Sequence, residues 1–169
     1  LSRGLGDVYK RQVLQDPIIF SGTVEENIKY KANATREEVI EASKIVGSHE
    51  FVMKLPYGYD TILEESGAII SVGQRQLLSF ARALLLDSKI FILDEATSYI
   101  DSYTERQIQN ALDRVLENRT GIIIAHRLST IKNADKIIVL NKGEIVEIGN
   151  HEKLLSNKNL YWKLWSNNE

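Results

Sequence analysis

Three short segments of this chain carry side chains whose types and spacing could act on a phosphate. In Ile90-Phe91-Ile92-Leu93-Asp94-Glu95, four apolar residues lead into two adjacent carboxylates. The apolar run reads as a strand in the middle of a sheet. Asp94 and Glu95 then emerge at its C-terminal edge, where ligands bind in open α/β sheets. Neighbouring carboxylates repel unless a cation or a proton resolves the repulsion. A Mg2+ ion held through Asp94, with Glu95 free to polarise a water, is one resolution; two solvated acids at a strand end is the other. A second run, Ile122-Ile123-Ile124-Ala125, ends in His126, which could donate a hydrogen bond to a phosphate oxygen. A lone histidine at a strand end is more often structural, so its weight comes from sharing that edge with Asp94. The third segment is Ile70-Ser71-Val72-Gly73-Gln74. Ser71 can cap a following helix, Gly73 lets backbone amides approach a ligand, and the helix dipole completes an anion site. A plain serine cap is the simpler reading of that segment alone.

Positioning these groups requires strands and helices in alternation. Thr23-Val24-Glu25-Glu26 and Thr35-Arg36-Glu37-Glu38 both have capping-box spacing. The second opens a helix with Val39, Ala42, Ile45 and Val46 on one face. A long helix follows Ser71, with Val72, Gln76, Phe80, Ala81 and Leu84 at helical intervals. Residues 90–93, 121–125 and 136–140 read as strands of a parallel sheet covered on both faces, being short, branched and apolar. Between the first two, Ile108, Ala111, Leu112 and Val115 form the inward stripe of a helix. Asn141-Lys142-Gly143 turns the chain into a hairpin partner over 144–148. Asn150 is the expected cap of a helix over 151–155, and Leu160, Trp162, Leu164 and Trp165 suggest a final amphipathic helix. This alternation defines an α/β fold.

Composition narrows the class further. The chain has 169 residues, 43% of them hydrophobic and 26% charged, which suits one globular domain. A net charge of -2 gives no electrostatic reason to expect a nucleic-acid partner. The absence of cysteine excludes disulfides, thiolate metal sites and cysteine nucleophiles. No apolar run reaches the roughly 18–20 residues that span a bilayer. Residues 1–12 show neither strand alternation nor a helical stripe and resemble translated adapter sequence. They are read as a lead-in outside the fold, foreign to the protein or, as the alternative, a flexible native segment.

Taken together, the segments resemble the ATP-binding cassette family, from about Val13 to the C-terminus. Gln15 in Val13-Leu14-Gln15-Asp16 looks like the Q-loop glutamine. Residues 70–74 look like the family signature, usually Leu-Ser-Gly-Gly-Gln, with Ile70 and Val72 as departures and Ser71, Gly73 and Gln74 retained. Asp94 matches the Walker B aspartate and Glu95 the catalytic glutamate. Ser98-Tyr99-Ile100-Asp101 resembles the D-loop, and His126 the switch histidine. Phe20-Ser21-Gly22-Thr23-Val24, Glu65-Ser66-Gly67 and Ala125-His126-Arg127-Leu128-Ser129-Thr130 are similar to the exporter branch.

The resemblance implies a P-loop NTPase-like parallel sheet with flanking helices, a helical signature subdomain over about 24–86, and a RecA-like remainder. It implies ATP and Mg2+ as cofactors, with Glu95 and His126 catalytic and Asp94 and Gln15 at the metal. Gln15, Ser71, Gly73, Gln74 and Asp101 would bind or communicate with nucleotide. It further implies a transmembrane domain, a second nucleotide-binding domain in a head-to-tail dimer, and a place on the cytoplasmic face of the membrane. No Gly-x-x-x-x-Gly-Lys-Ser/Thr occurs in the chain. That loop cradles the phosphates and belongs ahead of Gln15, so the domain is expected to be incomplete at its N-terminus and the 169-residue chain to lack ATPase activity. A soluble cassette ATPase without a membrane domain is the alternative, and a non-catalytic binding module a third reading. About six hydrophobic spans upstream would decide for an exporter.

Overall fold

The helices begin where side chains can satisfy their free amides. The threonines at 23 and 35 open α1 (Val24–Lys29) and α2 (Arg36–Ile45) with complete capping boxes, completed by Glu26 and Glu38. Ser71 does the same for α4 (Val72–Leu85), with Gln74 as its partner. Between α2 and α4 lie α3 (His49–Val52), a 3-10 turn (Gly58–Asp60) and β3 (Ile62–Leu63), which pairs antiparallel with β2 (Gly22–Thr23). A cap is worth about 1 kcal/mol. Burying a Leu or Phe side chain is worth about 1.5–3 kcal/mol, and α4 fully buries Leu77, Leu78 and Phe80. Packing therefore outweighs capping in holding α4, while the cap decides where it starts.

The computed structural model describes residues 10–13, 18–65, 69–86, 88–94, 102–125 and 128–167, and of residues 10–13, 102, 128 and 129 the backbone only. The chain divides into two compact units, Leu1–Ile124 and Ala125–Glu169. In the first, β1 (Lys10–Val13), β4 (Ile90–Asp94) and β5 (Thr120–Ile124) form a parallel sheet in the order β1-β4-β5. β4 buries Phe91 and Leu93, and Phe91 meets Phe80 of α4 edge-on with ring centroids 6.0 Å apart. α5 (Ser102–Leu116) buries Ala111, Leu112 and Val115, the expected stripe, with Ile108 partly buried beside them. α4 packs against α1, α2 and α5.

The first unit departs from the sequence reading at three places. β1 takes in residues 10–12, which the sequence alone assigns to the lead-in. Parallel pairing, with Lys10 opposite Ile90 and Val13 opposite Leu93, draws on backbone groups and needs no side-chain pattern. On α2, Val39, Ala42 and Val46 are buried, whereas Ile45 is exposed. The expected covering of β5 is absent: Ile122 and Ile124 are 51% and 52% exposed. An apolar run reports strand propensity, not what lies on either face.

The second unit contains α6 (Leu128–Ile131), the strands β6 (Ile137–Asn141) and β7 (Glu144–Gly149), and the helices α7 (His151–Asn157) and α8 (Leu160–Ser166). The turn falls where expected. Lys142 and Gly143 both have positive φ, 50° and 83°, as a two-residue hairpin loop requires. β6 is antiparallel to β7 and pairs with no parallel strand among the described residues, contrary to its expected place in the parallel sheet. Ile138 and Leu140 are exposed on it, while Ile137 and Val139 join Leu154 and Tyr161 in the core. Asn150 caps α7, its side chain accepting from the Lys153 amide. No helix among the described residues is long and apolar enough to cross a membrane.

Candidate functional site

Asp94 is the last residue of β4, at the C-terminal edge of the parallel sheet, and is half-buried. The register sets it beside Ile124 of β5. Glu95 follows Asp94 directly in sequence, and His126 lies two residues beyond Ile124. Glu95 and His126, with Gln15 and Asp101, lie outside the described residues. Asp94, Ser71, Gly73 and Gln74 lie within them.

Ser71 and Gln74 are brought together at the start of α4. The Ser71 Oγ accepts from the Gln74 amide at 3.2 Å, and the Gln74 side-chain oxygen accepts from the Ser71 amide at 2.9 Å. Helix geometry leaves the next amides, those of Val72 and Gly73, without intrahelical acceptors. A helix start fixed in this way presents donors and the positive end of the dipole to an anion. Ser71 is exposed, so the cap is open to a ligand.

Gly73 has a further reason to be glycine. It is buried, and a Cβ there would collide with the Cγ2 methyl of Thr104 and touch Ile108, both on α5. The absent side chain lets the first turn of α4 lie directly on the helix that follows Asp101. Sequence reasoning explained Gly73 by ligand approach and missed Thr104, because nothing local marks a contact between residues this far apart in the chain. Arg119 closes the other end of α4, donating to the Ala83 and Leu84 carbonyls at 3.5 and 3.4 Å. A cation at the last carbonyls complements the helix dipole.

The donor chemistry fits Mg2+. Asp94 offers a hard carboxylate oxygen, and no group of three or more acidic, histidine or cysteine side chains gathers among the described residues. Mg2+ usually takes one or two carboxylates and completes its shell with phosphate oxygens and water, so a single protein carboxylate is compatible with it.

A parallel three-stranded sheet with a carboxylate at a strand end, packed against a separately capped helix, is an α/β arrangement. Comparison with known proteins narrows this. Residues 10–98 match the ABC transporter family, and the chain belongs to that family. It is 56% identical over 150 residues to the ABC transporter ATP-binding protein YknV of Bacillus subtilis, covering 88% of this chain and 25% of the relative. It is 51% identical over 153 residues to the ATP-dependent lipid A-core flippase of Syntrophus aciditrophicus, covering 90% of this chain and 26% of that protein. The same identity over 154 residues relates it to the "Probable multidrug resistance ABC transporter ATP-binding/permease protein YheH" of Bacillus subtilis, covering 90% and 23%. The chain thus spans about a quarter of the length of these relatives. The family carries with it the P-loop NTPase fold and ATP binding.

Proposed function

We propose that this chain is part of the nucleotide-binding domain of an ABC exporter, in which ATP binding and hydrolysis drive substrate movement across a membrane. The carrying observation is the identity of about half over nine-tenths of the chain to proteins named as a flippase and as a multidrug ATP-binding/permease protein. The geometry supports it: Asp94 stands at the sheet edge, and Ser71 with Gln74 forms an open helix cap. Phosphoryl transfer depends mainly on positioning and charge stabilisation, so the residues divide by what they hold. Asp94, with Gln15, holds Mg2+, which when bound neutralises charge on the phosphates. Glu95 takes the proton of the attacking water, and His126 donates to the γ-phosphate. Ser71, Gly73 and Gln74 face the γ-phosphate of ATP held mainly by a second nucleotide-binding domain, packed head to tail, and Asp101 communicates across that interface. A transmembrane domain is the other partner, which places the chain at the cytoplasmic face of the membrane.

The test compares two proteins. The full-length transporter in lipid hydrolyses ATP with Mg2+, and Glu95→Gln reduces turnover by about a hundredfold or more, the usual weight of a general base. The 169-residue chain alone shows no Mg2+-dependent turnover above background, since it contains no Gly-x-x-x-x-Gly-Lys-Ser/Thr loop. Robust turnover by the chain alone, abolished by Glu95→Gln, overturns the assignment of the phosphate grip to that loop.

A further inference from the structure

The described part of the segment that follows Gln15 is held by two polar side chains. Asn27, 1% exposed, donates to the Phe20 and Thr23 carbonyls at 2.9 and 3.0 Å and accepts from the Phe20 amide at 2.9 Å. Arg82 reaches the same place from the third turn of α4. Its Nε donates to the Asn27 carbonyl at 2.8 Å and its Nη1 to the Ile18 carbonyl at 3.2 Å. Its guanidinium also lies 5.2 Å from the Phe20 ring centroid and 5.3 Å from that of Tyr30, and these two rings stack 5.0 Å apart.

Two features show that this arrangement is costly. Tyr30 has φ 47° and ψ -103°, a backbone conformation that costs about 1–3 kcal/mol and persists only when its surroundings over-determine it. The Nη2 of Arg82 is buried without an acceptor among the described residues, and burial pulls the guanidinium below its ordinary pKa. An apolar side chain at position 82 would leave the Asn27 and Ile18 carbonyls without these donors, so the guanidinium is held by its two backbone contacts.

We propose that Arg82 is a positioning residue that locks the segment after Gln15 to the helix whose first turn carries Ser71, Gly73 and Gln74, so that these two nucleotide-facing regions move as one body. α4 is the rigid link: at 1.5 Å per residue, Arg82 stands about 16 Å along the helix from Ser71. Lysine cannot substitute, because it has no planar fork to reach two carbonyls while lying over two rings. The inference rests on the proposed ATPase for its functional half, whereas the lock itself does not.

The test has two arms. In the 169-residue chain, Arg82→Lys speeds hydrogen exchange of the 18–23 amides about tenfold, the effect of losing one charge-assisted hydrogen bond. In the full-length transporter, the same change lowers kcat about tenfold while the KM for ATP stays within about twofold, because positioning and not ground-state binding is lost. Unchanged exchange overturns the lock. Faster exchange with wild-type kcat overturns the coupling, as does a kcat loss that only tracks a falling folded fraction. If Arg82→Lys does not fold, Phe20→Leu, which removes one ring and keeps both hydrogen bonds, is expected to give the same pattern at smaller size, and its absence overturns the proposal. A wild-type transporter without Glu95-dependent turnover removes the ATPase reading and with it the coupling, while the exchange arm still decides the lock.

Discussion

Each of the two units contains a histidine at the start of a short helix, hydrogen-bonded to a tyrosine ten residues on. His49 Nδ1 and the Tyr59 hydroxyl are 2.9 Å apart; His151 Nδ1 and the Tyr161 hydroxyl are 2.8 Å apart. Ring centroids are 5.9 Å apart in both. The surroundings differ. Tyr59 is one of many buried side chains in the first unit, whereas among the described residues of the second Tyr161 forms a small buried cluster with Ile137, Val139 and Leu154, flanked by partly buried residues such as Leu160 and Trp165. His151 also lies 4.4 Å from the Trp165 ring, and the Tyr161 amide donates to Glu147 Oε1 at 2.9 Å. One local device thus trims a large core and is much of a small one. The size of the core, not the strength of the bond, decides what each pair is worth.

The most forceful way to break this comparison is truncation. Tyr161→Ala removes about 3–5 kcal/mol, enough to unfold the second unit, while Tyr59→Ala leaves the first unit folded though weakened. Amide exchange resolved by unit distinguishes them, and equal loss in both units would end the contrast. Gly73→Ala probes the first unit by overpacking. It destabilises by about 1–3 kcal/mol through the clash with Thr104, and Thr104→Ser, which removes the methyl and keeps the hydroxyl, restores most of that in a double-mutant cycle. Exchange in the second unit is unaffected. Removing only the hydroxyls sharpens the comparison, since Tyr59→Phe and Tyr161→Phe should each cost about 1 kcal/mol by urea unfolding, despite their different cores.

The smallest effect is in alkali. Burial raises the pKa of both tyrosines above the ordinary value. The stability this contributes is complete below that value and is lost as pH rises through the raised one. Ultraviolet titration of tyrosinate should show a late-ionising component that shrinks with each of the two Tyr→Phe changes.

Helix starts were legible because their causes are local. Thr23, Thr35, Ser71 and Asn150 each lie three residues before the amide their side chain receives, and all four caps form as the spacing predicts. Asp94 was legible for a similar reason, since an apolar run that ends in a carboxylate marks a strand edge without any partner. What stayed hidden depends on tertiary neighbours. The Thr104 methyl against Gly73 and the Arg82 contact with the Ile18 carbonyl join residues far apart in sequence. No local pattern marks Arg82, since Arg75 and Ser79 share its face of the helix and a charge there reads as ordinary. The end position of β5 among the described strands and the antiparallel pairing of β6 had no signal either, because strand composition does not name the neighbour.

The exposed isoleucines of β5 also govern how the chain behaves in a tube. Thr120-Gly121-Ile122-Ile123-Ile124-Ala125 is uncharged, lacks proline and is rich in β-branched residues, the composition of strands that add to one another. Two of its side chains face outward with half their surface bare. Self-association through this strand therefore competes with refolding, and recovery after denaturation should fall as protein concentration rises. A lysine at Ile122 or Ile124 would act as a gatekeeper and flatten that dependence.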